Sequence, residues 1–473
     1  MARCVPITLL ALVLTVCSCA AGVAAEKSPA HDDEYYELYK LLVDTMDQVE
    51  RNYVKDIDRR ELMEAAIEGV LEKLDPYSSY ISPKEISRFR GTVESEFGGI
   101  GIQVSNDGGQ LQVISPLVGT PAYRAGVLAG DRIVEIEGES TKGWSLDDAV
   151  RRLKGKEGSD VKLTVVHAGE TKKIELSITR EQIHVETVLG DHRGDNDDWD
   201  FMLDPQHQIG YIRVTAFSRD TEREIRKATE RLQADKLKGL ILDLRFNPGG
   251  LLTSAIKVSD LFVPKGRIVS TEGRNSPKRV WDAHKDNLPT ENVPMVVLVN
   301  RYSASASEIV SACLQDHDRA VIMGERTWGK GSVQNVIELE EGRSALKLTT
   351  AGYLRPNGKN IHRFDGAKDD DEWGVKPNDG FEMRLGDAEI VGLIEDRRDR
   401  DIVRASHDDV DNDVDNDMDN AHTDSGDAGS EAENGSDTEE QSADADKPED
   451  PPFIDRQLQM AVEYLTAELA RAE

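Results

Sequence analysis

The chain has 473 residues, enough for two or three domains with a substantial core. Its formal net charge of −32 at pH 7 excludes a nucleic-acid binder, because such binding draws its strength from cationic side chains that displace counterions from phosphates. The same charge opposes direct attraction to an anionic membrane surface.

Residues 1–25 read as a secretory leader. Arg3 supplies a positive charge, Ile7 to Val16 is an apolar run too short to span a bilayer, and Val23-Ala24-Ala25 is a small-residue cleavage site before Glu26. The chain is therefore expected to be exported, to a periplasm or cell envelope. Val16-Cys17-Ser18-Cys19 is an imperfect match to a bacterial lipoprotein signal, so a lipid anchor on Cys19 stays open as the one membrane attachment. Cys313 is the cysteine left beyond the leader. It falls on a helical face of IVSACLQ, reads as a small buried apolar residue, and has no disulfide partner.

Residues 26–96 form an N-terminal helical domain. Leu38, Leu41, Leu42, Met46 and Val49 recur at helical spacing, as do Leu62, Ala66, Ile67, Val70, Leu71 and Leu74. Asp75-Pro76 stops the second helix, and Tyr77 to Pro83 reads as a loop. Residues 97–180 change to short alternating strands (GQLQVISPL, DRIVEIEG, DVKLTVVH, KKIELSI) with short helices at PAYRAG and SLDDAVRRLK, a small barrel-like module. Residues 181–395 alternate strand and helix. LKGLILDLR and PMVVLVN are continuous apolar runs, the pattern of strands buried on both faces of a layered α/β core.

Residues 396–450 read as an acidic, disordered segment. Its stretch 408–450 holds 18 acidic residues and a single basic one, Lys447, and has too little apolar surface to offset ordering entropy. VDNDVDNDMDN lacks the glycine and closing glutamate of a calcium loop, and no metal is expected. An amphipathic helix at 451–473 ends the chain.

Chemistry concentrates in Asn300 to Gln334. Ser303, Ser305 and Ser307 open a helix, and Lys330 stands between Gly329 and Gly331. A serine hydroxyl needs a base to become a nucleophile, and a lysine serves if burial lowers its pKa. Ser305 lacks the lysine three residues on that a Ser-x-x-Lys site requires, since residue 308 is glutamate, so a β-lactamase-like enzyme fails on pattern.

The order of motifs resembles the C-terminal processing peptidases, or tail-specific proteases. YVKDID and LDPYSSYISPKE match their N-terminal part, FGGIGIQV and PAYRAGVLAGDRIVEIEG their PDZ domain, and GLILDLRFNPGG, SASASEIV, GERTWGKGSVQ and GYLRPNGKNI their core. The resemblance implies an α/β, multidomain chain in which an N-terminal helical segment and a PDZ domain precede a ClpP/crotonase-like layered α/β protease core. It implies a serine endopeptidase that cleaves polypeptides near unstructured C-termini without a cofactor. By the same resemblance Ser305 is the nucleophile, Lys330 the base, Gln334 the residue that orients the lysine, and Glu308 a supporting residue. The N–H of Gly249 or Gly250 and that of Ala306 form the oxyanion hole, and Gly98, Gly99, Ile100 and Gly101 capture a peptide carboxylate. An activating adaptor and a homo-oligomer are compatible with it. A non-catalytic PDZ-containing scaffold is the competing expectation; it would gain if the serine or the lysine were missing, and both are present. The chain departs from the family pattern by the long acidic link RFDGAKDDDEWGVKPND and by the 408–450 insertion.

Overall fold

A computed structural model describes residues 29–94, 96–194, 196–284, 290, 292–403 and 453–472. The leader, including Cys19, and the acidic stretch 408–450 lie outside the described residues. The chain divides into two compact units, Met1–Pro76 and Tyr77–Glu473. In the first, α1 (Pro29–Asn52) and α2 (Arg59–Leu71) carry the helical periodicity, and the Asp58 side chain caps α2 by accepting from Arg60 and Glu61 N–H groups. Among the described residues no helix is long and apolar enough to cross a membrane.

The second unit opens with β1 (Ser79–Ile81) and α3 (Ile86–Glu94). Residues read with the N-terminal helices thus belong to the larger unit, and part of the expected Tyr77–Pro83 loop is a strand. The PDZ module follows. It comprises β2 (Glu96–Gly99), β3 (Ile102–Asp107), β4 (Gln110–Pro116), α4 (Pro121–Arg124), β5 (Arg132–Ile136), β6 (Glu139–Ser140), α5 (Leu146–Leu153), β7 (Asp160–Val166), β8 (Ile174–Thr179) and β9 (Glu181–His184). Its sheet runs β3-β4-β5-β7-β8, with β6 on β5, while β2 pairs with β9. Leu111 and Val113 alternate inward, as do Val161, Leu163 and Val165; a register shift in β5 brings Ile133 and Ile136 into the same cluster, and Ala122, Ala149 and Leu153 from the two helices join it.

The core begins with β10 (Val188–Leu189) and a small hairpin, β11 (His192–Arg193) and β12 (Trp199–Asp200). Then come β13 (Met202–Asp204), β14 (Ile209–Val214), α6 (Thr221–Ala234), β15 (Gly239–Asp243) and α7 (Leu252–Asp260). The hairpin β16 (Gly266–Gly273) and β17 (Ser276–Ala283) precedes β18 (Met295–Val299), α8 (Ala306–Asp316), β19 (Val321–Gly324), β20 (Ser332–Leu339), β21 (Ser344–Leu354), α9 (Asp387–Asp401) and α10 (Arg456–Ala472). Strands β14, β15, β18 and β19 are parallel neighbours. Ile212, Leu240, Leu242, Val297 and Val299 pack on one face with α6, α7 and α8. Tyr211, Ile241, Val296 and Leu298 pack on the other, under Ala461 and Leu465 of α10. Burial on both faces is what the unbroken apolar runs require. A second, antiparallel sheet in the order β1-β21-β16-β17, with β20 on β21, lies beside it.

Residues 396–403, read with the acidic segment, instead finish α9 and the turn after it. Arg397 donates to Asp243, Arg400 to Asp191, and the Val403 N–H to Ser115 Oγ of the PDZ module. The segment sets three arginines against three aspartates and so shares none of the acidic excess of 408–450.

Candidate active site

Three serines of one motif have three different environments. Ser303 Oγ donates to the Leu244 carbonyl at 2.8 Å and accepts from Asn300 N–H at 3.0 Å, tying the end of β18 to the end of β15. Ser307 Oγ donates to the Asn247 carbonyl at 2.9 Å. Ser305 is the N-cap of α8, whose first nine residues, Ala306 to Leu314, are all buried. Its backbone stands at φ 56°, ψ −111°, a sparsely populated region for a residue with a Cβ that costs about 1–3 kcal/mol. Such strain persists only where surrounding contacts over-determine it.

Glu308 supplies those contacts. It is fully buried, and its Oε2 accepts from the N–H groups of Ser305 and Lys330, both at 2.8 Å. Its Oε1 accepts from Gly329 N–H at 2.7 Å and Thr327 Oγ1 at 2.6 Å. Burial raises its pKa, and these donors oppose the shift. One carboxylate therefore holds the backbones of both the serine and the lysine.

The lysine loop is set by its glycines. A Cβ on Gly329 (φ +89°) would lie 2.7 Å from Arg363 Cβ, and one on Gly331 would lie 2.3 Å from the His362 nitrogen. Lys330 Nζ sits 5.0 Å from the centroid of the Tyr77 ring. Burial lowers the Lys330 pKa, the Lys347 charge lowers it further, and Glu308 acts in the opposite sense. Gln334 spends both amide hydrogens on Ser332 Oγ (2.8 Å) and Thr349 Oγ1 (3.1 Å), leaving Oε1 as its acceptor. Tyr353 is a neighbour that sequence reasoning left unassigned, although GYLRPNG was among the matching motifs. Burial pushes its phenol pKa up to about 12, and the Ser305 hydroxyl opposes that shift. Its N–H donates to Gly331 O at 2.8 Å, which joins β21 to the lysine loop.

The turn after β15 closes over the start of α8. Asn247 donates its amide to Val214 O and accepts from Gly249 N–H, both at 2.8 Å, while its carbonyl accepts from Ala304 N–H at 3.0 Å. A Cβ on Gly249 would lie 2.8 Å from Ser305 Cβ and 2.9 Å from the Ala306 nitrogen, so only glycine fits. With the Gly249 N–H held by Asn247, the N–H groups of Gly250 and Ala306 are the two oxyanion candidates without an acceptor among the described residues. Cys313 is buried in α8 with its thiol pushed up to about 12 by that burial, an inert packing residue. No group of three or more metal-ligating side chains is found among the described residues.

In the PDZ module, Gly98 and Gly99 lie in β2, paired with Gln182 and Glu181 of β9, and the turn proper is Ile100-Gly101. A Cβ on Gly98 would lie 2.2 Å from Gly155 O, and Gly101 has φ +79° against Thr120. Strand β3, which leaves this turn, is at the sheet edge beside α5.

Residues 208–377 match peptidase family S41, residues 112–166 the PDZ domain, and residues 18–85 a family described as the activating protease CtpB N-terminal domain. A carboxy-terminal-processing protease of Bartonella bacilliformis is 40% identical over 374 residues, covering 77% of this chain and 82% of its own. The carboxy-terminal processing protease CtpA of Bacillus subtilis is 37% identical over 345 residues, covering 72% and 70%. Among solved structures, a photosystem II D1 C-terminal processing protease is 29% identical, covers 73% of this chain and 92% of its own, and superposes with a TM-score of 0.41. The chain belongs to the C-terminal processing peptidases, PDZ-containing serine-type peptidases of family S41.

Proposed function

We propose that the protein is an exported endopeptidase that cleaves polypeptides near unstructured C-termini by a Ser305–Lys330 dyad. The observation that carries this reading is the Glu308 carboxylate, which holds a strained Ser305 and the Lys330 backbone together. In the proposed reaction neutral Lys330 takes the Ser305 proton as Oγ attacks the scissile carbonyl. The oxyanion meets the free N–H groups of Gly250 and Ala306, the latter at the positive end of α8. Lys330 then returns its proton to the leaving amine. Water, deprotonated by the same lysine, hydrolyses the acyl-enzyme. Gln334 Oε1 is the atom that would accept from Lys330 Nζ and aim it.

Substrate tails would add as a strand on the β3 edge, with their carboxylate at Ile100-Gly101. The apolar run Ile7–Val16 supports export. The test is cleavage of a substrate with a disordered apolar tail by the full chain beside Ser305→Ala and Lys330→Ala. Wild-type cleavage with both variants folded and inactive is expected. A folded Lys330→Ala with wild-type kcat would sink the dyad. The mass of the exported protein tells cleavage after Ala25 from lipid on Cys19, and an unprocessed mass removes the export reading.

A further inference from the structure

The oxyanion turn is held from an unexpected direction. Arg245 lies between β15 and the turn, and its side chain is wholly buried. Its Nε donates to Asp243, as does Nη2 at 2.7 Å. Its Nη1 and Nη2 also reach the two oxygens of Asp455, at 2.8 and 2.7 Å, and Nη1 reaches Gln457 Oε1 at 3.1 Å. The backbone N–H of Arg245 donates to Asp243 Oδ1 at 2.9 Å. Asp243 is itself fixed by Tyr211 and Arg397. A guanidinium engaged on all three nitrogens has one orientation, so the main chain entering the turn has one as well.

The next residue stores strain. Phe246 has φ +64°, an outlier for a bulky side chain. Its N–H donates to Asn300 Oδ1 at 3.0 Å, and its ring stacks on Tyr302 with centroids 5.5 Å apart. Phe246 also packs, as Phe453 does, against the cluster of Leu385, Ile390 and Leu393. Asn247 follows directly, and Pro248, Gly249 and Gly250 come after it. The clamp thus runs from the entry of α10, through Arg245, to the peptide that supplies the Gly250 N–H. Both Asp455 and Gln457 lie outside residues 208–377, which match the S41 family.

We infer that Asp455 is a positioning residue for catalysis, holding the oxyanion turn through Arg245, with Gln457 as its second contact. The inference rests on the Ser305 site proposed above. Asp455 also caps α10, accepting from Leu458 N–H at 3.1 Å, so the variant must spare the cap. Asp455→Asn does so, because asparagine caps as well as aspartate, while its amide presents N–H groups to a guanidinium that can only donate. A donor misaligned in the transition state lowers kcat and leaves KM in place. Loss of one oxyanion donor outright costs about 100–1,000-fold, and a tilted turn should cost at least about tenfold.

The experiment compares full-length wild type, Ser305→Ala, Asp455→Asn, Gln457→Leu and Leu465→Ala on one peptide substrate, with thermal midpoints. Leu465→Ala loosens the same helix from the sheet without touching Arg245. The expected result is a kcat loss of at least about tenfold in Asp455→Asn and a smaller loss in Gln457→Leu, with KM within about twofold and Leu465→Ala near wild type. If Asp455→Asn does not fold, Gln457→Leu carries the test by the same kcat-against-KM criterion. Wild-type kcat in the folded Arg245-contact variants overturns the inference and leaves the site reading intact. So does a kcat loss in Leu465→Ala equal to theirs. A wild type without activity removes the site reading itself.

Discussion

Ser303, Ser305 and Ser307 show how far one residue type can be read without coordinates. The alternation SASAS marks a helix start, but nothing in it separates a serine that ties two strands from one that reacts. The difference comes from partners at Leu244, Asn247 and Glu308, which are remote or three residues on, and from a backbone angle that sequence does not encode locally. Lys330 was legible for a reason glycine makes visible, since Gly329 and Gly331 mark a close approach of two backbones. Its pH behaviour follows from its surroundings. A general base works neutral, so kcat/KM should rise with pH through the Lys330 pKa, which burial and Lys347 place below the ordinary lysine value of about 10.4. Lys347→Met removes the like charge, which raises that pKa. The rising limb should therefore move to higher pH, and activity near neutrality should fall. A pH–rate profile of both proteins on one peptide checks this, and an unmoved or acid-shifted limb in the variant would contradict it.

At the scale of elements, the long strands were readable and the short added strand β1 was not. β15 and β18 are buried on both faces and so are apolar throughout. β1 is three residues long, shows no period, and pairs its Ser79 with Lys347 far along the chain. The same distance hid the Arg245–Asp455 contact. The PDZ turn was legible as a glycine string, yet its division into strand β2 and turn Ile100-Gly101 depends on β9, which only the fold brings alongside. Gly101→Val tests whether that turn serves substrate capture. At φ +79° and with a Cβ 2.4 Å from Thr120 Cβ, the variant must displace the entry to β3. Affinity for a fluorescent C-terminal peptide, read by anisotropy, should fall by at least about tenfold, equivalent to about 1.4 kcal/mol. Cleavage of long substrates should fall more than hydrolysis of a small activated ester. Equal losses on both would mean the turn matters only for folding.

Across the whole molecule, charge is concentrated in one place. Residues 408–450 carry 18 acidic side chains against one lysine, a net of −17, which is more than half of the −32 on the full chain. A field of one sign raises the encounter rate with oppositely charged partners, and salt removes the effect as the screening length shrinks from about 8 Å at 0.15 M to about 3 Å at 1 M. The site uses no exposed acidic side chain, since Glu308 is fully buried and spent on four donors. Steering should therefore act on encounter and not on the chemical step. For a substrate with a lysine-rich segment upstream of its apolar tail, kcat/KM should fall steeply with salt while kcat stays level. A neutral counterpart should show a flat response, and deletion of 408–450 should bring the basic substrate toward it. The measurement is a salt series of kcat and KM for both substrates with both proteins. If the basic substrate responds to salt no more than the neutral one, the acidic segment does not act on substrate encounter. If kcat itself falls with salt, charge acts inside the site.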